Sequence, residues 1–244
     1  LVIRIQQLEA FGRLRLEQFE EEMLGHIRAH FPEHHAAISG EQLRATIRLS
    51  HTRAGNYGMS SVRSVCIYLN CMLWLGSRFD TDLQYPWART ILTDPRLRSQ
   101  RARADRLSDT SVKFVLQLAG PDNQHIAALR ERLLSAGEAL NEFLMRSFPA
   151  QLCEDLLPSK WELLDEEARN GLMPAGRRLA ARYGMHDAAS SGVYTILMFL
   201  LGSSFDTDPQ FPWAHSILNT PGQEPIQKAQ ALIRAGLEQL KMAI

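Results

Sequence analysis

Gly202-Ser203-Ser204-Phe205-Asp206-Thr207-Asp208-Pro209-Gln210-Phe211-Pro212-Trp213-Ala214 rewrites an earlier string, Gly76-Ser77-Arg78-Phe79-Asp80-Thr81-Asp82-Leu83-Gln84-Tyr85-Pro86-Trp87-Ala88. Phe79 and Phe205 stand 126 residues apart. Tyr57-Gly58-Met59 and Tyr183-Gly184-Met185 keep that offset, as do Tyr68 with Tyr194, Met72 with Met198, and Ile91-Leu92 with Ile217-Leu218. Roughly half of this window is identical, which marks a repeated structural unit. The 244-residue chain therefore reads as a tandem duplication, with a first helical repeat over 1–120 and a second over 121–244. Phe148-Pro149 echoes Phe31-Pro32 at an offset of only 117, so the second repeat is predicted to carry an insertion near 150–175.

Outward from the repeated string, the apolar spacing is helical throughout. Leu8, Phe11, Leu16, Phe19, Met23 and Ile27 fall mostly three to five apart over 6–30, with Glu20, Glu21 and Glu22 on the other side. Residues 2–5 read as a short extended lead, and Phe31-Pro32 ends the first helix. Ser39-Gly40-Glu41-Gln42 has the form of a capping box, and the helix after it stops near Gly58. Ser60-Ser61 can cap a helix over 62–75 that is apolar on most sides and so belongs at the centre. Pro86-Trp87-Ala88 opens a short helix. Asp94-Pro95 is predicted to start another that runs to about residue 106, with a further short helix around Val112 to Leu118.

In the second repeat, Ile126, Leu129, Leu133, Leu140 and Phe143 mirror the opening helix. Ser159-Lys160-Trp161-Glu162 reads as a second capping box, Met173-Pro174 as a helix break, and Asp187 as the cap of the second central helix. A last helix spans about 225–242. No segment sustains strand alternation. The predicted class is all-α: two helical-bundle repeats related by a pseudo-twofold.

Composition narrows the function classes. Lys plus Arg and Asp plus Glu both number 27, so the formal net charge is zero and no field favours nucleic acid or a membrane surface. Cys66, Cys71 and Cys153 match no zinc spacing and suit reduced thiols in a cytoplasmic protein. The most apolar run, Gly192 to Gly202, is about half of the ~20 residues a bilayer span needs. The N-terminus alternates charge with Leu and Ile, and no signal peptide is predicted.

Four groups of residues invite a chemical reading. The Asp-x-Asp pairs, Asp80 with Asp82 and Asp206 with Asp208, suit a divalent cation with nucleotide phosphates, but no strand–glycine loop–helix pattern accompanies them. The preferred reading is scaffolding: the aspartates cap the next helix, Pro209 takes its first position, and Phe205, Phe211 and Trp213 pin the loop to the core. His26, His30, His34 and His35 cluster, but Pro32 breaks the spacing a metal site needs. Arg96, Arg98, Arg101, Arg103 and Arg106 form a basic run, diluted by Asp105 and Asp109 and without interleaved aromatics; the preferred reading is a solvated helix face, and the partner such a run would take is an acidic protein surface. Trp161 has no counterpart in the first repeat on this alignment and reads equally as a core residue or as a candidate contact residue. No nucleophile elbow, zincin helix or phosphate loop is present, so no catalytic residue, metal or cofactor is expected.

Ile3-Arg4-Ile5-x-x-Leu8 with Phe11, Phe19, Met23 and His26, then His30-Phe31-Pro32, Tyr57-Gly58 and Gly76-x-x-Phe79-Asp80-x-Asp82-x-x-x-Pro86-Trp87, resembles a family of small helical bacterial proteins. Members of that family resemble a single copy of the repeat and tend to be encoded beside type VI secretion effectors. The resemblance covers most of the first repeat and the second half of the second. It implies a non-enzymatic, cytoplasmic co-chaperone or adaptor that helps load an effector. The alternative it implies is an immunity protein that neutralises a cognate toxin. The partner in either case is a protein. Under this resemblance Phe79, Asp80, Asp82, Pro86 and Trp87, with Phe205, Asp206, Asp208, Pro212 and Trp213, are the structural motif. Arg96, Arg98, Arg101, Arg103 and Trp161 are the candidate partner-binding residues.

Overall fold

The protein was analysed as a computed structural model, which describes residues 5–136 and 149–242. The described residues form thirteen α-helices and no strand, so the class is all-α. They are α1 (Ile5–His30), α2 (Pro32–Ala37), α3 (Gly40–Gly55), α4 (Val62–Leu75), α5 (Pro86–Thr93), α6 (Gln100–Ala119) and α7 (Gln124–Ala136). After the gap in the description come α8 (Pro149–Leu156), α9 (Pro158–Leu163), α10 (Glu166–Ala180), α11 (Ala188–Leu201), α12 (Pro212–Leu218) and α13 (Pro225–Met242). Of the expected extended lead at 2–5, residues 2–4 lie outside the described residues, as do Leu140, Phe143 and Phe148, and Ile5 is already the first residue of α1. None of the described helices is long and apolar enough to cross a membrane.

Two kinds of helix start recur. Ser39, Ser61, Ser99, Asp165 and Asp187 are N-caps whose side-chain oxygens accept an amide three residues on. Each such cap is worth about 1 kcal/mol. The Ser39 box closes in both directions. The short helices α2, α5, α9 and α12 instead begin with proline, after Phe31, Tyr85, Leu157 and Phe211 respectively. These four preceding residues share one backbone conformation, with φ −135°, −130°, −142° and −125°. Proline at the first helical position gives up an N–H that has no partner there anyway.

Several local expectations are corrected. Asp94-Pro95 starts no helix: Asp94 closes α5 and its carboxylate accepts the Arg96 amide at 2.9 Å. One helix, α6, capped by Ser99, absorbs most of the arginine run and the segment 112–118. Ser159 makes no capping box, because Pro158 holds the first helical position and the Ser159 hydroxyl donates to the Leu118 carbonyl at 2.8 Å. Pro174 sits inside a continuous α10.

The insertion is also corrected. Pro32, Gly40, Val62 and Pro86 open α2, α3, α4 and α5; Pro158, Glu166, Ala188 and Pro212 open α9, α10, α11 and α12, each 126 residues later. The counterpart of Phe31-Pro32 is therefore Leu157-Pro158, an apolar residue before a helix-starting proline, and not Phe148-Pro149. Residues 158–175 keep step with 32–49, and no extra segment lies there.

Two apolar cores follow this division. One gathers buried residues from Phe19 to Phe114 around α4, which packs on α3 and α6. The other runs from Leu133 to Ile233 around α11, which packs on α8, α10 and α13. Tyr68 packs tilted against Phe79 with ring centroids 4.8 Å apart, and Tyr194 against Phe205 at 4.9 Å. The cores are joined crosswise: α2 touches α13, and α9 touches α6.

At the junction the C-termini of α4 and α11 abut through Gly76 and Gly202, at φ +95° and +102°. A Cβ on Gly76 would lie 2.9 Å from the Leu201 carbonyl oxygen, and one on Gly202 would lie 2.8 Å from that of Leu75. Gly202→Ala is expected to cost at least about 3 kcal/mol, because backbone must move on top of the left-handed strain. Gly184→Ala, at φ +77° in open space, is expected to cost only about 1 kcal/mol. Urea denaturation of the two variants checks the difference.

Candidate functional site

The aspartate loops do not cap the helices that follow them. Tyr85 and Phe211, the N-cap residues of α5 and α12, carry no side-chain cap, and Pro209 precedes α12 by three residues. Instead the second aspartate of each loop crosses to the other repeat. Asp82 Oδ2 accepts the Ser203 amide at 2.7 Å, and Asp208 Oδ2 accepts the Ser77 amide at 2.7 Å. Each carboxylate also accepts its own Gln84 or Gln210 amide at 2.9 Å. The glutamine side chains reach over as well: Gln84 Nε2 donates to the Met198 carbonyl and Gln210 Nε2 to that of Met72, both at 3.0 Å. Those carbonyls already accept the Gly202 and Gly76 cap amides at 3.0 Å, so each glutamine is a second donor on the last turn of α11 or α4. Burial pushes the Asp208 carboxyl above its ordinary range, against the pull of the Gln210 and Ser77 donors.

The first aspartates stay within their repeats. Asp80 accepts the Tyr57 hydroxyl at 2.8 Å and the Arg53 guanidinium; Asp206 accepts the Tyr183 hydroxyl at 2.7 Å. Burial, then the neighbouring Asp80, pushes the Tyr57 phenol up to about 12. Every carboxylate of the two loops therefore has protein donors. Among the described residues no three His, Cys, Asp or Glu side chains converge as metal ligands do. The second aspartates cross between the two halves of the chain, and the expected helix capping is not what they do. Ser77, Ser203, Gln84 and Gln210 were missed by the sequence reading, although their identity in both strings was visible.

The histidines divide by partner. His26 pairs with the Asn70 side chain at 2.8 Å, and its ring lies 4.7 Å from that of His30. His34 shares a hydrogen bond with the Leu73 carbonyl at 3.0 Å, and burial lowers its pKa. The residue 126 positions on is Lys160, whose ammonium donates to the Phe199 carbonyl, the equivalent acceptor in α11. Lys160 is 2 % exposed and lies 5.4 Å from the Tyr85 ring centroid and 5.0 Å from that of Phe199. Trp161 is half-buried on the second core with its ring 6.1 Å from Phe199. Its counterpart is His35, so it does not stand alone in an extra segment. Cys71 and Cys153 are buried, and burial pushes both thiols up to about 12.

The arginine run separates into structural and outward-facing members. Arg103 is committed inward, donating to the Tyr57 carbonyl at 2.8 Å and the Leu97 carbonyl at 2.9 Å. This corrects its reading as a partner-binding residue, because its two terminal nitrogens already hold backbone oxygens. Arg96 folds back on Asp94 in an exposed pair. Arg98, Arg101 and Arg106 point into solvent. Arg101, Asp105, Asp109, Val112 and Leu116 follow at three- and four-residue spacing and so share one face of α6. Val112 is 39 % and Leu116 66 % exposed there, beside Lys113, Gln117 and Pro121 in a shallow depression. The sequence reading took Val112 for a helix of its own and did not foresee this outward apolar pair.

Comparison with known proteins found no family model, no curated sequence and no solved structure that matches the chain.

Burial lowers the Lys160 amine to about 8. Between that value and the unfolded value near 10.5 the unfolded chain binds more protons, so this group makes stability rise with pH. The thiols of Cys66, Cys71 and Cys153 pull the other way in the same window, because burial holds them protonated in the fold while they ionise in the unfolded chain near ~8.5. Urea denaturation between pH 8 and about 9.5 is therefore expected to show stability falling more steeply with pH in Lys160→Met than in the parent protein, the gap between the two changing by about 1–2 kcal/mol across the window.

Proposed function

We propose that the protein is a non-enzymatic, cytoplasmic binding protein that acts as an accessory factor, a co-chaperone or adaptor, in loading a type VI secretion effector. The observation that carries this reading is the outer face of α6, where Val112 and Leu116 stand exposed in line with Arg101. An exposed leucine and valine one helical turn apart give a partner a desolvated centre, and Arg101, Asp105 and Asp109 on the same face supply charge of both signs at the edge. The twenty residues of α6 extend about 30 Å, long enough for one side of a standard interface. The neutral chain favours an adaptor over a mimic of nucleic acid. The partner expected is a protein with an apolar patch flanked by charged groups of both signs. The secretion context comes from the resemblance of the Phe-Asp-x-Asp…Pro-Trp string.

Leu116→Asp and Val112→Asp test it. Both positions are on the surface, so folding stability is expected to change by less than about 0.5 kcal/mol. Capture of the effector or chaperone encoded nearby is expected to weaken at least tenfold, as when the centre of an interface is charged. Capture unchanged in both variants would remove α6 from the function. Lethality of a neighbouring toxin that rises on loss of this gene alone would assign immunity instead.

A further inference from the structure

A second feature shares no lining residue with the α6 face. A cavity of about 270 Å³ opens between α2 of the first repeat and α7, α8, α11, α12 and α13 of the second. Ile196, Leu200, Phe211, Trp213 and Leu237 supply its walls, and His34, Glu33 and Gln239 are its polar members.

The equivalent place in the other repeat is filled. There Lys160 lies over Tyr85, and Tyr85, Trp87 and Phe114 pack ring to ring at 5.4 Å and 5.9 Å from the Phe114 centroid. The walls differ in kind as well. Where the first repeat has Asn70, Cys71 and Ser111, the second has Ile196, Leu197 and Leu237. Where the first has Trp74, the second has Leu200. Among the described residues, one fold thus holds a packed, partly polar site on one side and an aliphatic cavity on the other. Empty apolar space forfeits dispersion contacts and is costly to keep.

The polar atoms at this cavity share one character. His34 Nε2 faces the Leu73 carbonyl, so it carries the proton and leaves Nδ1 an acceptor. Gln239 Nε2 donates to the Ala37 carbonyl at 3.4 Å, which leaves its oxygen free to accept. Glu33 is an exposed carboxylate. All three accept hydrogen bonds, and one is negative. Size follows from a known case: a dry cavity of ~150 Å³ takes benzene, so the space here suits about ten carbon atoms.

We propose that this cavity binds a small amphiphile with an unbranched aliphatic tail of about ten carbons and a neutral or cationic head that donates hydrogen bonds. The tail lies against the leucine, isoleucine and aromatic walls. The head sits between Glu33, His34 and Gln239. The reading is independent of the α6 face.

Calorimetric titration of the whole chain with decylamine, 1-decanol and decanoate, each below its micelle concentration, tests it. Decylamine and 1-decanol are expected to bind saturably at one site, and decanoate at least tenfold more weakly. Two substitutions fill the space. Gly236→Val starts from a Cβ position whose nearest neighbour is Trp213 Cη2 at 3.8 Å. Leu200→Trp installs the residue that the first repeat holds at position 74. Each is expected to weaken decylamine binding at least tenfold without lowering the melting temperature. If Gly236→Val fails to fold, Leu200→Trp alone decides. Glu33→Gln is expected to reduce the preference for decylamine over 1-decanol. No saturable binding of any probe, decanoate binding as tightly as decylamine, or full binding in a folded Leu200→Trp variant would each overturn the proposal.

Discussion

The structure depends on an exchange of carboxylate–amide hydrogen bonds between two loops. Asp82 holds the backbone of Ser203, and Asp208 holds that of Ser77. Both carboxylates are largely dehydrated, where a bond from a neutral donor to a charged acceptor is worth about 1.5–3 kcal/mol and an orphaned group costs as much. The exchange requires two helix ends to meet with no side chain between them, and this explains the glycines at 76 and 202. Gln84 and Gln210 then close the last turns of the opposite central helices. One constraint thus accounts for the Gly, Ser, Asp and Gln of the repeated string. The aromatic residues of the same string serve the two cores on either side.

Partners in these bonds are 114 to 138 residues apart in sequence. Neither half can satisfy its own loop, although each has its own apolar cluster. The crosswise contacts of α2 with α13 and of α9 with α6 point the same way. Stability should therefore be lost in a single cooperative step and not repeat by repeat.

Much of the fold was legible in the sequence because its helix boundaries are written in local chemistry. Ser39, Ser61 and Asp187 are caps of the expected kind, and α4 spans the residues its apolar content marked. The failures share a cause: a dipeptide was read without its register. Asp94-Pro95 has the form of a helix start, yet the Asp94 carboxylate turns to the Arg96 amide and Ser99 does the capping. Phe148-Pro149 matched Phe31-Pro32 by identity, whereas Leu157-Pro158 matches it by position and backbone conformation. The Ser39 and Asp165 caps, also 126 apart, were the signal that could have settled the register. The crossing of the aspartates was not legible, because helical periodicity describes one element at a time and carries no trace of a contact more than a hundred residues away. For the same reason Arg103 and Arg98 look alike in the run but differ in what they touch.

His34 and Lys160 stand at equivalent positions 126 residues apart, each on the carbonyl of a different central helix. In an assembly of two identical chains every substitution appears on both sides, so a cationic plug and an open hollow could not coexist at equivalent positions. Joining both units in one polypeptide removes that restriction. One flank is then free to become a rigid, sealed strut while the other stays hollow, and the molecule acquires a handedness of role that its near-symmetric scaffold does not itself impose.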